Sequence, residues 1–399
     1  MKKIILHIDL DAFFCRCEEI KNPILVDKPF SVGGDGRRGI VSTCSYAARK
    51  YGIKSGMPTF QAKMLCKNLI IIPGDYKYYS LMSKEFFNYL KVYSTKIETM
   101  SIDECFLDLT DYYLKSKKDI MDILKEIQEG LFKKTQLKCS IGVGTTKFIA
   151  KMASDYKKPL GITIIRNKDI EQMLFPLPIK DFFGIGKKTQ PKLKAVGINT
   201  IGDLYYACKQ NNKHLEETIG SFKDHICNLL EGNSDDDVEA HIYDPKSISM
   251  SRTLDRDTND SRIIQEYLEN EVQKVVNSLI KEDKLCKTIV ISYKDAQFEG
   301  EFKAKSFSKT LDEFTNSKDL LLKQAVKLFN ETYDGKTIRL IGFAVKNLKD
   351  KHEIVTQMTF DNYERHEEES TSFLVINELN REYHKPIFKR LSDIVKDKK

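Results

Sequence analysis

No stretch of the 399-residue sequence approaches the roughly 20 consecutive apolar residues that a membrane-spanning helix requires, so a membrane protein is excluded. The first apolar stretch is short and is interrupted by Asp9 and Asp11, which indicates a buried strand rather than a secretory signal. The nine cysteines are scattered, odd in number and never spaced as CxxC. They predict neither a disulfide framework nor a zinc site, and they favour the reducing cytoplasm.

A strong excess of charge of one sign is lacking as well. The sequence has 65 lysines and arginines against 58 acids, a net charge of +7. Such mild basicity is compatible with a nucleic-acid partner but does not indicate one, because net charge describes a field and not a chemistry. The chain is too long for one ordinary core, so we expect roughly two to four domains.

The apolar pattern contains no internal repeat and divides the chain at Pro176 and Pro178. Before them, the order strand, helix, strand, strand, helix, strand predicts a ferredoxin-like α+β layer. Residues 179–230 are helical and punctuated by glycine, and residues 231–239 form a polar linker. Residues 247–348 repeat the strand and helix order, which predicts a second small α+β unit.

Carboxylates stand at the ends of apolar strands. Asp9 and Asp11 end the first strand, and Asp103 and Glu104 lie in a turn between two others. Taken alone, each acid is better explained as a helix cap or turn residue. Together they favour a metal site, because acids beside a core need neutralising and Mg²⁺ prefers a few carboxylates plus phosphate oxygens. Two such ions can activate a hydroxyl and stabilise a leaving pyrophosphate.

Five segments follow one another along the chain: ILHIDLDAFF, VSTCSYAARKYGIKSGMP, MSIDECFLDL, CSIGVGTTKFIAKMASDYKKPLG and FFGIGKKTQPKLKAVGI. Their order and spacing resemble the successive motifs of Y-family DNA polymerases, most closely the bacterial DNA polymerase IV group. The resemblance covers residues 1–348, and five ordered motifs are far more specific than any one of them.

The resemblance implies an α+β right-hand polymerase with a ferredoxin-like palm, small fingers, a helical thumb with a helix-hairpin-helix, and an α+β little finger. The expected domains are the palm (1–10 and 76–175), fingers (11–75), thumb (176–232), linker (233–246), little finger (247–350) and C-terminal tail (351–399). The implied activity is template-directed translesion synthesis, an error-prone transfer of deoxynucleotides to a primer 3′-hydroxyl without proofreading. Expected partners are a primed DNA template and a deoxynucleoside triphosphate, with the protein acting as a monomer.

By position, the resemblance assigns two Mg²⁺ ions and the catalysis to Asp9, Asp103 and Glu104, with the Leu10 carbonyl assisting one ion. Glu104 is expected at the ion that activates the 3′-hydroxyl, and the sequence offers no separate general base. Asp11 belongs to the motif but is a weaker ligand candidate.

Phe13 and Phe14 follow the first acidic motif, where paired aromatics ordinarily form helix core. The resemblance makes Phe14 the steric gate, a ring under the incoming sugar that leaves no room for a 2′-hydroxyl, with Phe13 beside it. The triphosphate contacts are expected at Tyr46, Arg49 and Lys158, although a solvated helix face is the commoner position of Arg and Lys. The loose pocket around the nascent base pair is expected to include Ile40, Val41 and Thr43.

DNA-backbone contacts are implied at two places. Gly184 and Gly186 followed by Lys187 resemble a helix-hairpin-helix, whose amides approach phosphates without reading sequence; an ordinary helical turn is the alternative. In the second α+β unit, Arg252 and Arg339 lie on strands that resemble the little-finger strands.

The tail contains Gln357, Met358 and Phe360, which resemble the peptide by which bacterial polymerases dock on the sliding clamp. The usual leucine is missing and the spacing is one residue short, so a disordered linker is the alternative. A basic helix at 373–394 has no assigned task.

Two other functions compete with the enzyme. A non-catalytic DNA-binding repair factor on the same fold would not need Asp9, Asp103 and Glu104. A nucleotidyl cyclase on a related palm would not need a helix-hairpin-helix or a little finger, because it has no duplex to hold.

Overall fold

The structure is a computed structural model that describes residues 3–210, 213–220, 222–233, 237–240, 244–296 and 304–353. It divides into two compact units, Met1–Tyr243 and Asp244–Lys399. Among the described residues, no helix is long and apolar enough to cross a membrane. The clamp-peptide candidates Gln357, Met358 and Phe360 and the helix expected at 373–394 lie outside the described residues.

The first unit alternates strands and helices. In chain order its elements are β1 (Ile5–Leu10), α1 (Phe13–Lys21), β2 (Phe30–Gly33), β3 (Val41–Cys44), α2 (Tyr46–Arg49), α3 (Thr59–Leu65), β4 (Ile70–Ile72), α4 (Tyr76–Leu90), β5 (Ile97–Thr99), β6 (Glu104–Asp108), α5 (Thr110–Ser116), α6 (Ile120–Thr135), β7 (Cys139–Gly144), α7 (Lys147–Tyr156), β8 (Ile162–Ile164), α8 (Ile170–Met173), α9 (Gln190–Ala195), α10 (Ile201–Lys209), α11 (Lys213–Ile219) and α12 (Phe222–Leu230).

Five strands of this unit form one sheet in the order β5-β6-β1-β7-β8. β1 pairs antiparallel with both β6 and β7, and β5 pairs antiparallel with β6, so the ferredoxin-like prediction is confirmed. β8 adds a parallel edge strand beside β7. The register sets Asp9 opposite Glu104 on one side and opposite Ser140 on the other. Acids far apart in sequence therefore meet at the end of the central strand.

Alternating side chains of β1 face two different helix layers. Leu6 and Ile8 are fully buried in one core cluster with Phe86 of α4 and with side chains of α6. His7 points to the other face, where its Nδ1 lies 2.8 Å from the Ser154 hydroxyl of α7. Helices pack on both faces of β1 and hold it rigidly. Asp9, near the end of this strand, is therefore held in a fixed position.

Gly142 of β7 marks the closest approach between the sheet and α7. A Cβ at this position would lie 2.1 Å from both the Ala150 carbonyl oxygen and the Ser154 amide nitrogen. Because backbone atoms cannot move aside cheaply, we expect Gly142→Ala to destabilise the protein by about 2–3 kcal/mol. Urea denaturation would measure this. Gly36→Ala is the control, since a Cβ there meets nothing within 4 Å; equal stability of the two variants would contradict the packing.

A three-stranded sheet in the order β3-β2-β4 has its own small core with α2 and α3. Val41 is 1 % exposed in that core. The expectation that Val41 lies against the nascent base pair is therefore wrong, because β3 turns its side chain inward. The preceding Ile40 is 54 % exposed, as the alternation of a strand requires.

Helices α8 to α12 surround a further core that includes Ile179, Leu193 and Ile226. Gly184 has a φ of 102° and begins the turn into α9, a backbone conformation that glycine adopts without strain. The expected helical, glycine-punctuated segment is confirmed over its described residues.

The second unit is a four-stranded antiparallel sheet in the order β11-β10-β12-β9, with two helices on one face. This confirms the second small α+β unit. Its elements are β9 (Ser247–Thr258), α13 (Ser261–Lys281), β10 (Lys284–Asp295), β11 (Ala304–Thr315), α14 (Lys318–Thr332) and β12 (Ile338–Asp350).

Candidate active site

A cavity of about 260 Å³ opens at the end of β1, beside the turn between β5 and β6. It brings together most of the site residues expected in the first unit. Its walls are Asp9, Leu10, Asp11, Ala12, Phe13, Phe14, Ser42, Thr43, Tyr46, Arg49, Ser55, Asp103 and Lys158. Backbone pairing helps to form it, since the Leu10 amide donates to the Asp103 carbonyl at 2.9 Å.

Asp9 and Glu104 form the acidic centre together with His7. One ligand atom from each of these three residues lies within 4.8 Å of the others. Contact with the His7 ring, 3.3 Å from Glu104 Oε2, and the Lys151 ammonium hold the pKa of Glu104 well below its usual range, against the effect of burial. Burial lowers the pKa of His7, so its ring is neutral at neutral pH.

Asp103 lines the same cavity but has a different environment. Its carboxylate accepts a hydrogen bond from the Ser101 hydroxyl. Burial, and then the neighbouring Asp9 and Glu104, raise the pKa of Asp103. An acid whose charged form is disfavoured by burial and by like charge is one that a cation would relieve.

Two lysines supply positive charge to these acids. Lys151 Nζ lies 2.8 Å from Glu104 Oε2 and 3.5 Å from Asp9 Oδ2. Lys158 Nζ lies 2.7 Å from Asp9 Oδ2 and 2.8 Å from Asp155 Oδ1. Burial opposes the charge of Lys158, but the two acids prevail and raise its pKa. Both ammonium groups therefore lie where nearby carboxylates stabilise positive charge.

The donor set fits a divalent metal. Oxygens of Asp9 and Glu104 converge, and Asp103 lines the cavity together with Asp9. The two lysines that contact Asp9 and Glu104 show that these acids attract positive charge. Mg²⁺ prefers a site with a small number of carboxylates and with room for phosphate oxygens at its other positions.

Phe14 is braced by aromatic rings. It stacks on Tyr79 with ring centroids 4.5 Å apart and meets Tyr76 edge-on at 5.8 Å. Tyr79 is itself fully buried and donates to Glu18 Oε1 at 2.7 Å. Phe13 is 3 % exposed, so most of its side chain packs in the core, as paired aromatics on a helix ordinarily do.

Tyr46 and Arg49 stand together at α2, and both line the cavity. The Arg49 guanidinium lies over the Tyr46 ring at 4.5 Å from its centroid, and its Nε donates to the Cys44 carbonyl at 3.3 Å. Ser45 caps α2 by accepting from the Ala48 amide at 3.1 Å. The Arg49 guanidinium is therefore held in a fixed orientation at the cavity wall, which Thr43 also lines.

The DNA contacts expected in the first unit do not line the cavity. Gly184 and Gly186 flank the turn before α9, and Lys187 after them is exposed. In the second unit, Arg252 is exposed on the edge strand β9, and Arg339 is half-buried on the neighbouring β12.

The alternation of β9 separates its two faces. Arg252 shares its side of the strand with the half-buried Ile248 and Met250, which pack towards the helices. The open face carries hydroxyls instead, at Ser249, Ser251 and Thr253 of β9 and at Ser306, Ser308 and Thr310 of β11.

Sequence reasoning missed three polar residues of the acidic centre: His7, Lys151 and Asp155. His7 carried a usable signal, since it precedes Asp9 by one full strand repeat and must share its face. Lys151 and Asp155 gave none, because lysines and acids on a helix are ordinarily solvated.

The chain matches three family models. The impB/mucB/samB family model matches residues 8–155, its C-terminal domain matches residues 245–360, and the IMS family HHH motif matches residues 167–198. The DNA polymerase IV of Listeria monocytogenes serotype 4b is 38 % identical over 347 residues, 86 % of this chain and 95 % of that protein. DNA polymerase IV 1 of Bacillus subtilis is 33 % identical over 398 residues, 99 % of this chain and 94 % of that protein.

Solved structures agree with the sequence relatives. A Y-family DNA polymerase chimera of Dbh and Dpo4 is 27 % identical, with a TM-score of 0.77, over 87 % of this chain and 99 % of the other. A Dbh polymerase in an insertion ternary complex has the same identity and coverage and a TM-score of 0.59. The chain belongs to the Y-family DNA polymerases, in the DNA polymerase IV group. Its activity is translesion DNA synthesis, and the right-hand fold with a helix-hairpin-helix and a C-terminal sheet unit is that of the family.

Proposed function

We propose that the cavity at the end of β1 is where a deoxynucleotide is joined to a primer 3′-hydroxyl and pyrophosphate is released. The observation that carries this is the register of β1 and β6, which sets Asp9, a residue of the cavity wall, opposite Glu104. Family membership requires a divalent metal, and these acids are where its charge is best accommodated.

Asp9, Asp103 and Glu104, with the Leu10 carbonyl, would hold two Mg²⁺ ions. When bound, such ions lower the pKa of the attacking hydroxyl and neutralise charge on the leaving pyrophosphate. The protein's own contribution is positioning: a rigid strand pair holds the acids, and the sequence offers no separate general base.

The incoming triphosphate would contact Tyr46, Arg49 and Lys158, with Thr43 at the base pair. The planar fork of Arg49 is preset by Tyr46 and by the Cys44 carbonyl. Lys158 contacts Asp9 at 2.7 Å, and nucleotide phosphates would offer its ammonium a competing anion. Phe14, braced on Tyr79, would lie under the sugar, with Phe13 supporting it from the core.

The domain bounds that we propose are those expected from the resemblance to the family. We assign residues 1–10 and 76–175 to the palm, 11–75 to the fingers, 176–232 to the thumb, 233–246 to the linker, 247–350 to the little finger and 351–399 to the tail. Template and primer backbones would contact Gly184, Gly186 and Lys187 in the thumb and Arg252 and Arg339 in the little finger. The hydroxyl-bearing face of the little-finger sheet suits uncharged backbone contacts as well.

Other partners are part of this proposal. The protein would act as a monomer on primed DNA in the cytoplasm, where its nine free cysteines stay reduced.

The clamp is the partner proposed for the tail, where Gln357, Met358 and Phe360 would dock on it. Removal of these three side chains would then reduce synthesis with the clamp and leave synthesis without it unchanged.

Metal removal tests the site directly. We expect EDTA to abolish primer extension and Mg²⁺ to restore it, while binding of the primed template, followed by fluorescence anisotropy, changes little. Binding persists because backbone contacts do not need the acids. A protein that binds primed DNA but never extends it at any Mg²⁺ concentration would instead be the non-catalytic repair factor.

A further inference from the structure

Asp11 stands beside the acidic centre but is bound differently from the other acids. It is only 4 % exposed. Its Oδ1 accepts from the Ser140 hydroxyl at 2.9 Å and from the Tyr46 hydroxyl at 3.2 Å. Its Oδ2 accepts from the Leu160 amide at 2.8 Å. One carboxylate therefore joins three segments that are distant in sequence.

These bonds leave Asp11 poorly suited to hold a metal. Both oxygens already accept hydrogen bonds, and the converging ligand atoms come from His7, Asp9 and Glu104. Among the described residues, no ammonium or guanidinium lies within 4 Å of its carboxylate. A buried charge of this kind is tolerated because its hydrogen bonds replace water.

The partners of Asp11 lead to the residues that we expect at the triphosphate. The Arg49 guanidinium lies over the Tyr46 ring, 4.5 Å from the ring centroid. Leu160 lies two residues after Lys158, and its carbonyl is held by Gln128 Nε2 at 3.2 Å. Burial, and then the charge of Asp11, raise the pKa of Tyr46, so its hydroxyl remains protonated and donates.

We propose that Asp11 is a positioning residue for nucleotide binding: it holds Tyr46 of α2 and the Lys158–Leu160 segment in one fixed arrangement, and it does not ligate metal. This rests on the proposed triphosphate contacts. Without Asp11, Tyr46 and the Leu160 amide lose a shared acceptor, and the two phosphate-binding groups are no longer held relative to each other.

Steady-state primer extension with Asp11→Ala, Asp11→Asn, Tyr46→Phe and Lys158→Ala tests the proposal. We expect Asp11→Ala to raise KM for the deoxynucleotide about tenfold, as loss of hydrogen bonds to a charged group does, with a smaller change in kcat. Asp11→Asn should raise it only about twofold to threefold, because the amide still accepts from Leu160 and can donate to a hydroxyl.

A double-mutant cycle separates positioning from general damage to the fold. Because Asp11 acts through Tyr46, Tyr46→Phe should add little to KM in the Asp11→Ala background. The Mg²⁺ concentration for half-maximal activity should remain that of the wild type.

Three results would overturn the proposal. A loss of extension in Asp11→Asn together with a shifted Mg²⁺ requirement would make Asp11 a metal ligand. Unchanged KM in Asp11→Ala, while Tyr46→Phe and Lys158→Ala raise it, would remove the positioning role and leave the triphosphate contacts standing. Unchanged KM in all four variants would remove the triphosphate contacts, and the positioning role with them.

Discussion

Asp9→Asn and Glu104→Gln are each expected to reduce primer extension by about 1000-fold or more, comparable with the loss of a group that stabilises charge in a transition state. Both substitutions keep the size of the side chain and remove its charge. The two acids pair across β1 and β6 and their carboxylate oxygens converge, so either loss removes half of the converging oxygens. Asp103→Ala should have a similar effect.

The measurement is single-turnover extension of a primed template, with binding of the same template by anisotropy. Glu98→Gln is a matched control, because Glu98 is a half-buried acid on the adjacent strand β5 whose 2.9 Å ion pair with Lys147 lies outside the cavity lining. Extension in Glu98→Gln should remain within about twofold of wild type. If Asp9→Asn and Glu98→Gln lost activity equally, the assigned acids would not be the catalytic centre.

Much of this site could be predicted from local sequence. Asp9 ends an apolar strand and Asp103 lies in a turn, and both features are visible without a structure. The ferredoxin-like order of strands and helices also follows from local periodicity, because strands and helices repeat with different spacings.

The remaining features depend on contacts between distant segments. The roles of Lys151 and Asp11 follow from the β1–β6 and β1–β7 registers and from the α7 packing, which bring residues separated by more than a hundred positions together. Val41 is an example of a prediction from local sequence that the fold overturns. Its motif position predicts a base-pair contact, but the three-stranded sheet turns its side chain into the core.

Phe14→Ala is expected to increase ribonucleotide incorporation relative to deoxynucleotide incorporation by about 100-fold, the upper range of discrimination by shape in an apolar pocket. The physical reason is the bracing of the ring. Phe14 stacks on Tyr79, which is fully buried and tied to Glu18, so the ring cannot withdraw to admit a 2′-hydroxyl. Removing the ring creates the missing space and leaves the acids in place.

Ratios of kcat/KM for ribonucleotides and deoxynucleotides measure the effect, and Phe60→Ala is the control. Phe60 is a phenylalanine on α3 that is 60 % exposed and does not line the cavity, so its loss should leave the ratio unchanged. Tyr79→Ala should reproduce part of the Phe14→Ala effect, because an unsupported Phe14 ring can tilt away. A wild-type ratio in Phe14→Ala would mean that another wall of the cavity excludes the 2′-hydroxyl, and Tyr76, which meets Phe14 edge-on at 5.8 Å, would be the first residue to test.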